Sequence, residues 1–557
     1  MRVGLRALSL TARDATRVEA PTDDERERRD LSARLAAVAF ILVLIVALPV
    51  LLNLGRHRWF RYDDWDFVSS RSVTSVRDLF EPHNVHWTTL PVVTYRGLWR
   101  TFGLQTYVPY QLVGLAFHLL LASLVRLVMR RAGVRPWTAT AAAVLLVFFG
   151  AGEQSVLWAF TAITLTLTLV FGVTHLLLAD HDGPTDRRDW LGLVAGLAGL
   201  MSSGVAITMT IVVGLAVLVR RGWRIAALHT LPLAAVFGVW YVAIGNEGFS
   251  QQERQGAAEA WGFFRTAVGA AYTGIARAPA LGWVVGGLIA LGLWLAWHDR
   301  TRAYLRQRAA PTAAMLAGAF LFLLIAGTSR SEAIATETRY VYVVATLTMP
   351  ALALAADTVM CKWRAATALV ALLFVASTIG NIRDFDRSET LDEFERAYRQ
   401  QMLRLPRLPI ASEVPRDLHP DLGLAPWVTI GWLRDGVASG RIPEPGPTDA
   451  EAVATAELRL ALVRTLQHTP VHCDPVSGPV DVRLPAGGSI KAPGPVRVTY
   501  TSASGAQSQP VEYEASVARH VVAYADMEGL RVEPLRAGAI VGLCDRDGAP
   551  VPTPVGP

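Results

Sequence analysis

The sequence predicts an α-helical polytopic membrane protein of about eleven transmembrane helices followed by a C-terminal exported α+β domain, and three observations carry that expectation. Of 557 residues, 52% are hydrophobic and 18% charged, richer in apolar and poorer in charged side chains than an average soluble domain. Apolar runs of about 15 to 25 residues recur between Leu35 and Gly380 and then stop. Arginines cluster in every second connection between those runs, as the retention of Lys and Arg on the cytoplasmic side requires.

In chain order, residues 1–33 contain Asp23-Asp24-Glu25-Arg26-Glu27-Arg28-Arg29-Asp30, mixed charge without an apolar face, and are expected to form a cytoplasmic, disordered segment. A transmembrane domain is expected over 34–380. Its first run, Leu35 to Leu54, is too long for a signal-peptide core and no small-residue cleavage site follows, so it reads as a retained anchor. Further spans are expected near 107–128, 137–150, 156–179, 190–202, 204–219, 225–244, 279–297, 311–327, 340–358 and 364–380. Trp190 to Val219 as one helix would run about 45 Å against a hydrocarbon core of about 30 Å, and Ser202-Ser203-Gly204 supplies the break.

Charge sets the orientation. Arg126, Arg130, Arg131 and Arg135, then Arg187 and Arg188, then Arg220, Arg221 and Arg224, then Arg300, Arg302, Arg306, Arg308, Lys362 and Arg364 fall in connections that should be cytoplasmic. The N-terminus is then inside. Outside lie the large loop 55–106, the turn around Glu153, the segment 245–270, the loop Thr328 to Arg339, and a C-terminal domain over 381–557. In that domain Leu391 to Leu405 and Ala450 to Leu466 read as helix. Beyond Val471, β-branched runs such as Val496-Arg497-Val498-Thr499-Tyr500 alternate with Gly/Pro turns and suggest a small β-sandwich.

The net charge of +6 is almost wholly arginine and reads as topology; no dense basic patch interleaves with aromatics, which argues against nucleic acid. Three cysteines exclude a disulfide scaffold and a cysteine metal site. Cys473 and Cys544 share the exported tail, where they could form one disulfide or remain two buried thiols, whereas Cys361 sits in a cytoplasmic turn.

The first external loop carries the densest chemistry. Asp63, Asp64 and Asp66 crowd beside Trp59, Trp65 and Phe67, where like charge and burial raise a carboxyl pKa and suit a general base or a metal ligand. The alternative is an interfacial cluster that caps the helix and pairs with Arg56, Arg58 and Arg61. Glu81-Pro82-His83-Asn84-Val85-His86-Trp87 would place His83 and His86 on one face if it opens a helix, able to hold a divalent cation with nearby carboxylates or simply to bond backbone and headgroups. Trp87 to Tyr107 reads as an amphipathic interfacial helix. Gly152-Glu153-Gln154, and the run with Arg330, Glu332, Glu337, Arg339 and Tyr340, are further polar features facing the same side. Arginine there suits a phosphate, and Arg339 could equally be a snorkelling anchor.

One N-terminal span, a long acidic external loop with an interfacial helix, short-looped spans and a late Arg-Tyr loop together resemble the GT-C glycosyltransferases over roughly residues 35 to 380. The Tyr-Asp-Asp-Trp run followed by His-Asn-x-His is similar to a pattern in bacterial members without an assigned substrate. The resemblance implies an enzyme that moves a sugar from a polyprenyl-phosphate donor to a cell-envelope glycan or glycolipid acceptor at the outer face of the plasma membrane. It implies Asp63 or Asp64 as catalytic base, and Asp66, His83 and His86 as acceptor-orienting groups or ligands of a divalent metal. Arg339 with Arg330 would hold the donor phosphate, and Glu153, Glu337 and Tyr340 are further cavity candidates. The Asp-Glu pair of protein mannosyltransferases is replaced by Asp63-Asp64, and the tryptophan-tryptophan-aspartate motif of oligosaccharyltransferases is absent. A transporter or flippase of envelope precursors is the alternative; its only hints are Ser202-Ser203-Gly204 and the threonines at 161, 164, 166 and 168.

Overall fold

A computed structural model describes residues 23–249, 254–385, 389–421, 423–447, 449–465, 473–513, 520–536 and 538–544. All eleven expected spans are helical. Among the described residues, eight helices are long and apolar enough to cross a membrane: Arg26–Leu54, Val108–Arg131, Ala159–Ala179, Trp223–Gly245, Pro279–Asp299, Arg302–Gly327, Thr338–Lys362 and Ala366–Asp384. The pair Pro136–Val147 and Gly150–Leu157, bent by 42°, is long and apolar enough only when taken together. Arg187–Leu200 and Val205–Arg221 are separate helices of 14 and 17 residues, divided at the Ser202-Ser203-Gly204 break. The chain is a multi-pass membrane protein. Proline in the first turn of several of these helices uses a position whose N–H has no intrahelical partner anyway.

The charged stretch Asp23 to Asp30 is the start of the first helix, not a disordered arm; residues 1–22 lie outside the described part. The centre of the bundle is Thr338–Lys362, whose residues from Tyr340 to Met360 are all buried. Small side chains let its neighbours approach: a Cβ on Gly292 would stand 2.4 Å from Ala355 Cα, so the Pro279–Asp299 helix packs there only with glycine.

The arginine-rich connections gather at one end of the bundle, where Arg306 donates to Val219 O (3.0 Å), Arg135 to Asp357 (2.6 Å) and Lys362 to Asp299 (2.8 Å). The loops around residues 63, 153, 204, 246, 328–339 and 384 gather at the other. Across that second end lies the 20-residue helix Ala257–Ala276, tied at its start by Gln255 N to Thr328 O (2.9 Å) and at its end by Arg277 to Asp384. It runs over the bundle instead of through it, consistent with Glu259 and Arg265 in its sequence.

The tail does not begin a separate body at 381. Glu389–Arg404 and the helix Ile430–Ala438 share one aromatic core with the first loop, in which Trp59, Phe60, Trp65, Tyr95 and Trp99 pack with Tyr398, Met402, Leu405, Val428 and Leu433. Trp99 stacks on Trp432 at 4.8 Å between centroids, a contact worth about 1 kcal/mol beyond burial. Trp65 Nε1 donates to Tyr398 Oη (3.2 Å), Arg58 and Arg61 both bind Glu395 (2.8 and 2.9 Å), and Tyr62 N donates to Leu424 O (2.7 Å).

The rest is a two-sheet sandwich, as the β-branched runs predict. Helix Ala450–Ala461 passes directly into β1 (Leu462–Thr465), so the predicted helix ends sooner than Leu466. Then follow β2 (Cys473–Ser477), β3 (Val480–Leu484), β4 (Ser489–Lys491), β5 (Val496–Tyr500), β6 (Val511–Tyr513), β7 (His520–Ala523), β8 (Met527–Pro534) and β9 (Ile540–Cys544). The strand orders are β1-β7-β4-β9-β2 and β3-β8-β5-β6, with all pairings antiparallel. Val482, Leu484, Val496, Val498, Leu530 and Val532 of one sheet meet Ile490, Val521, Val541 and Leu543 of the other. Cys473 and Cys544, opposite each other in the β2–β9 register, form the disulfide. Closing a loop with a separation of 71 residues, it contributes about 4 kcal/mol by restricting the unfolded chain. Cys361 is free and exposed.

Candidate functional site

The segment after the first helix turns on Tyr62, a non-glycine residue with φ of 47°, a conformation costing about 1 kcal/mol that surrounding contacts must hold. Trp65 N donates to Tyr62 O (3.1 Å) and Asp64 N to Arg61 O (3.1 Å), closing the turn. Its consequence is that adjacent aspartates part company. Asp63 faces a cavity; Asp64 points back into the aromatic core.

Asp64 is wholly buried and accepts from Tyr95 Oη, from Trp158 Nε1 (2.6 Å), from Tyr107 Oη (3.3 Å) and from Arg61 N (3.1 Å). Burial pushes its carboxyl up to about 7 against the pull of the Tyr95 and Trp158 donors. No part of it lines the cavity, so of the two expected bases only Asp63 faces it.

Asp66 stands behind Asp63, bridged by a histidine. His83 Nδ1 bonds Asp66 Oδ2 (2.7 Å), His83 Nε2 lies 3.4 Å from Asp63 Oδ1, and Arg71 Nε bonds both Asp66 oxygens (3.1 and 3.2 Å). Arg71 is itself anchored on the carbonyls of Asp78, Glu81 and Pro82. Burial opposes charge on the His83 ring, yet the Asp63 and Asp66 carboxylates outweigh it and hold the ring up to about 9. Burial likewise opposes the Asp66 charge, and His83 and Arg71 overcome it, bringing Asp66 down to about 2.

The two histidines do not share a helix face. They close a tight turn, with His83 N to His86 O (3.0 Å) and His86 N to His83 O (2.9 Å), around Asn84 at φ 53°. The αL conformation of Asn84 interrupts a helix there; the amphipathic helix begins only at Thr89 and ends at Phe102. Its Tyr95 and Trp99 are buried against protein, while Val93 and Phe102 stay exposed. His86 Nδ1 accepts from Gly204 N (3.3 Å). Burial first, then the nearby charges of His83, Arg330 and Arg339, bring His86 down to about 3, so it is neutral. A Cβ at Gly204 would stand 2.8 Å from His86 Nδ1, so glycine admits this contact.

The cavity, of about 930 Å³, opens at the loop end of the bundle. Asp63, His83 and His86 line one part of it, Arg254, Arg330, Arg339 and Tyr340 another, and Leu165, Val205, Ile207, Phe322, Ile325 and Ala326 supply an apolar wall. Arg339 binds Glu337 Oε2 (2.6 Å) and lies over the Tyr340 ring at 5.3 Å, leaving its buried Nε without a hydrogen-bond partner. Glu337 therefore serves Arg339 and does not line the cavity. Glu153 is elsewhere, paired with Arg58. Arg254, Tyr241, Asn246, Glu247 and Gln255, not singled out by the sequence, also line it, as do Thr161 and Thr164, which the sequence offered only as hints of transport; a cation in the 245–270 connection was the available signal for Arg254.

A metal would need three ligand atoms to converge. Among the described residues they do so, within 4.8 Å, only at His181, Asp186 and Asp189, and not at Asp63, Asp66, His83 or His86. Asp189 there is already bound by Arg221, by His229 (2.9 Å) and by His181 (3.1 Å), the arrangement of a buried ion cluster.

The raised His83 group has a measurable consequence. Its contribution to stability is full below its unfolded value of about 6.5 and is lost as pH rises through 9. Thermal melts should therefore show the native protein losing roughly 3 °C more than His83→Gln between pH 6.5 and 9.5. Equal losses would mean that the ring is not charged in the fold.

No protein-family model matches the chain, and no curated protein matches it. Among the solved structures similar to it are two of ArnT from Cupriavidus metallidurans. The one in the apo state has 16% identity and a TM-score of 0.43, covering 77% of this chain and 93% of its own. The one bound to undecaprenyl phosphate has 16% identity and a TM-score of 0.41, covering 80% and 93%.

Proposed function

We propose that this chain is a GT-C-type membrane glycosyltransferase that moves a sugar from a polyprenyl-phosphate donor to a glycan or glycolipid acceptor of the cell envelope. The observation that carries the reading is one cavity that brings together a carboxylate on one side, three arginines on the other and an apolar wall between bundle helices. Arginine-rich connections at the opposite end of the bundle support a cytoplasmic N-terminus and a cavity facing the outer side.

Each part matches a demand of the reaction. The acceptor hydroxyl attacks the anomeric carbon and passes its proton to Asp63, while the bond from that carbon to the phosphate oxygen breaks and its electron pair leaves with the phosphate. The lipid phosphate thereby gains one negative charge, so groups that bind it gain most in the transition state. Arg339, backed by Tyr340, and Arg330 are placed for that, and guanidinium donors reach two oxygens at once. The His83 ring stands 3.4 Å from Asp63, with Asp66 and Arg71 fixing the ring. Leu165, Phe322 and Ile325 offer the prenyl chain an apolar path. One direct displacement inverts the anomeric centre. No step calls for a metal.

The test is transfer by the purified protein from radiolabelled polyprenyl-phosphate sugars to envelope glycan and glycolipid acceptors. Arg330→Gln/Arg339→Gln should lower kcat/KM about 10²–10³-fold. Transfer at the native rate by this variant would remove the phosphate role, and no transfer with any donor would remove the reading.

A further inference from the structure

We propose a second anion-binding site, separate from the cavity, that takes the phosphate of a lipid headgroup between the end of the first membrane helix and the Glu389–Arg404 helix. A pocket of about 400 Å³ lies there, lined by Arg56, His57, Arg58, Arg396, Arg399 and Gln400. Four guanidiniums facing one space repel each other unless anions balance them, and the carboxylates on the page balance only part of the charge. Glu153 and Glu395 are both taken by Arg58, and Glu395 also by Arg61. Asp392 stands 4.0 Å from His57. Among the described residues Arg56, Arg396 and Arg399 have no carboxylate partner.

What these three do contact leaves donors over. Arg56 donates to Asn53 O (3.1 Å) and to His57 Nε2 (3.0 Å), Arg396 to Asp392 O (3.1 Å), and Arg399 to Gln105 O at a long 3.4 Å. Arg399 Nε is buried with no hydrogen-bond partner. Because each guanidinium carries five donors, the pocket holds unused N–H groups from three cations, the pattern a tetrahedral oxyanion satisfies and a single carboxylate does not.

Position favours a lipid as the source. Arg56 follows Leu54, the last residue of an apolar helix whose Val46 and Val50 are 56% and 39% exposed on its outer surface. The pocket therefore sits about one turn beyond the hydrocarbon, at headgroup depth, where cationic pockets meet anionic lipid. A bound phosphate would also bridge the membrane helix to the tail, adding to the Arg58–Glu395 tie.

The test is native mass spectrometry of the full chain in a neutral detergent, titrated with phosphatidylglycerol, with diacylglycerol as the phosphate-free control. Arg330→Gln/Arg339→Gln is present throughout, so that cavity binding does not contribute. Retention of phosphatidylglycerol over diacylglycerol is expected, with affinity falling about tenfold on adding Arg56→Gln/Arg399→Gln. Arg396→Gln, a change at an exposed residue, should show a smaller loss and serves if the double change misfolds. Competition by millimolar inorganic phosphate would identify free phosphate as an equal source; failure to compete would assign the site to the lipid headgroup. Equal retention of phosphatidylglycerol and diacylglycerol, or affinity unchanged by all three arginine substitutions, overturns the site whatever the outcome of the glycosyl-transfer assay.

Discussion

Asp63→Asn should lower glycosyl transfer by about three orders of magnitude while leaving the melting temperature within about 2 °C of native. The size follows from the role, since a positioned general base contributes about 10²–10⁴-fold, and an amide keeps the shape but cannot take the acceptor proton. The small stability effect follows from position: Asp63 is partly exposed on the cavity, with one contact, to His83 at 3.4 Å. Donor binding should survive, because the arginines and apolar residues proposed to hold the phosphate and prenyl chain line other parts of the cavity, so the loss should appear in kcat. Transfer by Asp63→Asn at more than about a tenth of the native rate would take the base away from this residue.

Asp64→Ala should do the reverse and destabilise the fold by about 3–5 kcal/mol. The carboxylate is the common acceptor for Tyr95, Tyr107 and Trp158, all buried, and its removal strands three donors in a space closed to water. The same three rings hold the interfacial helix, the start of the Val108–Arg131 helix and the Ala159–Ala179 span against the first loop, so loosening them would also displace Asp63. Chemical denaturation in detergent would measure the loss, and Asp64→Asn, which keeps one acceptor oxygen, should recover part of it. Native-like stability in Asp64→Ala would show that these donors find other partners.

This division between neighbours marks where the sequence stops being informative. Apolar runs and arginine alternation are local signals, and they were enough for the eleven helical segments, the break at Ser202-Ser203-Gly204 and the sandwich beyond Val471. The gathering of Asp63, Arg330 and Arg339 at one end was legible too, because parity of crossings puts every second connection together. The charged start of the first helix departs from the expected disorder because a helix nucleated in the apolar run extends at low cost into the residues before it.

Three things needed the tertiary structure. Tyr62 in a left-handed conformation aims Asp63 and Asp64 in opposite directions, and φ at a non-glycine residue has no composition signal. His83 and His86 oppose each other across a turn, where helical spacing would have placed them side by side. The Glu389–Arg404 helix completes the core of the first loop from more than 300 positions away, joining Glu395 to Arg58 and Arg61. The sequence by itself determined which segments cross and which polar groups share an end, since hydrophobic burial and charge retention act on short stretches. Only the fold decided which carboxylate meets the cavity, because side-chain direction is set by contacts between segments that pattern alone does not bring together.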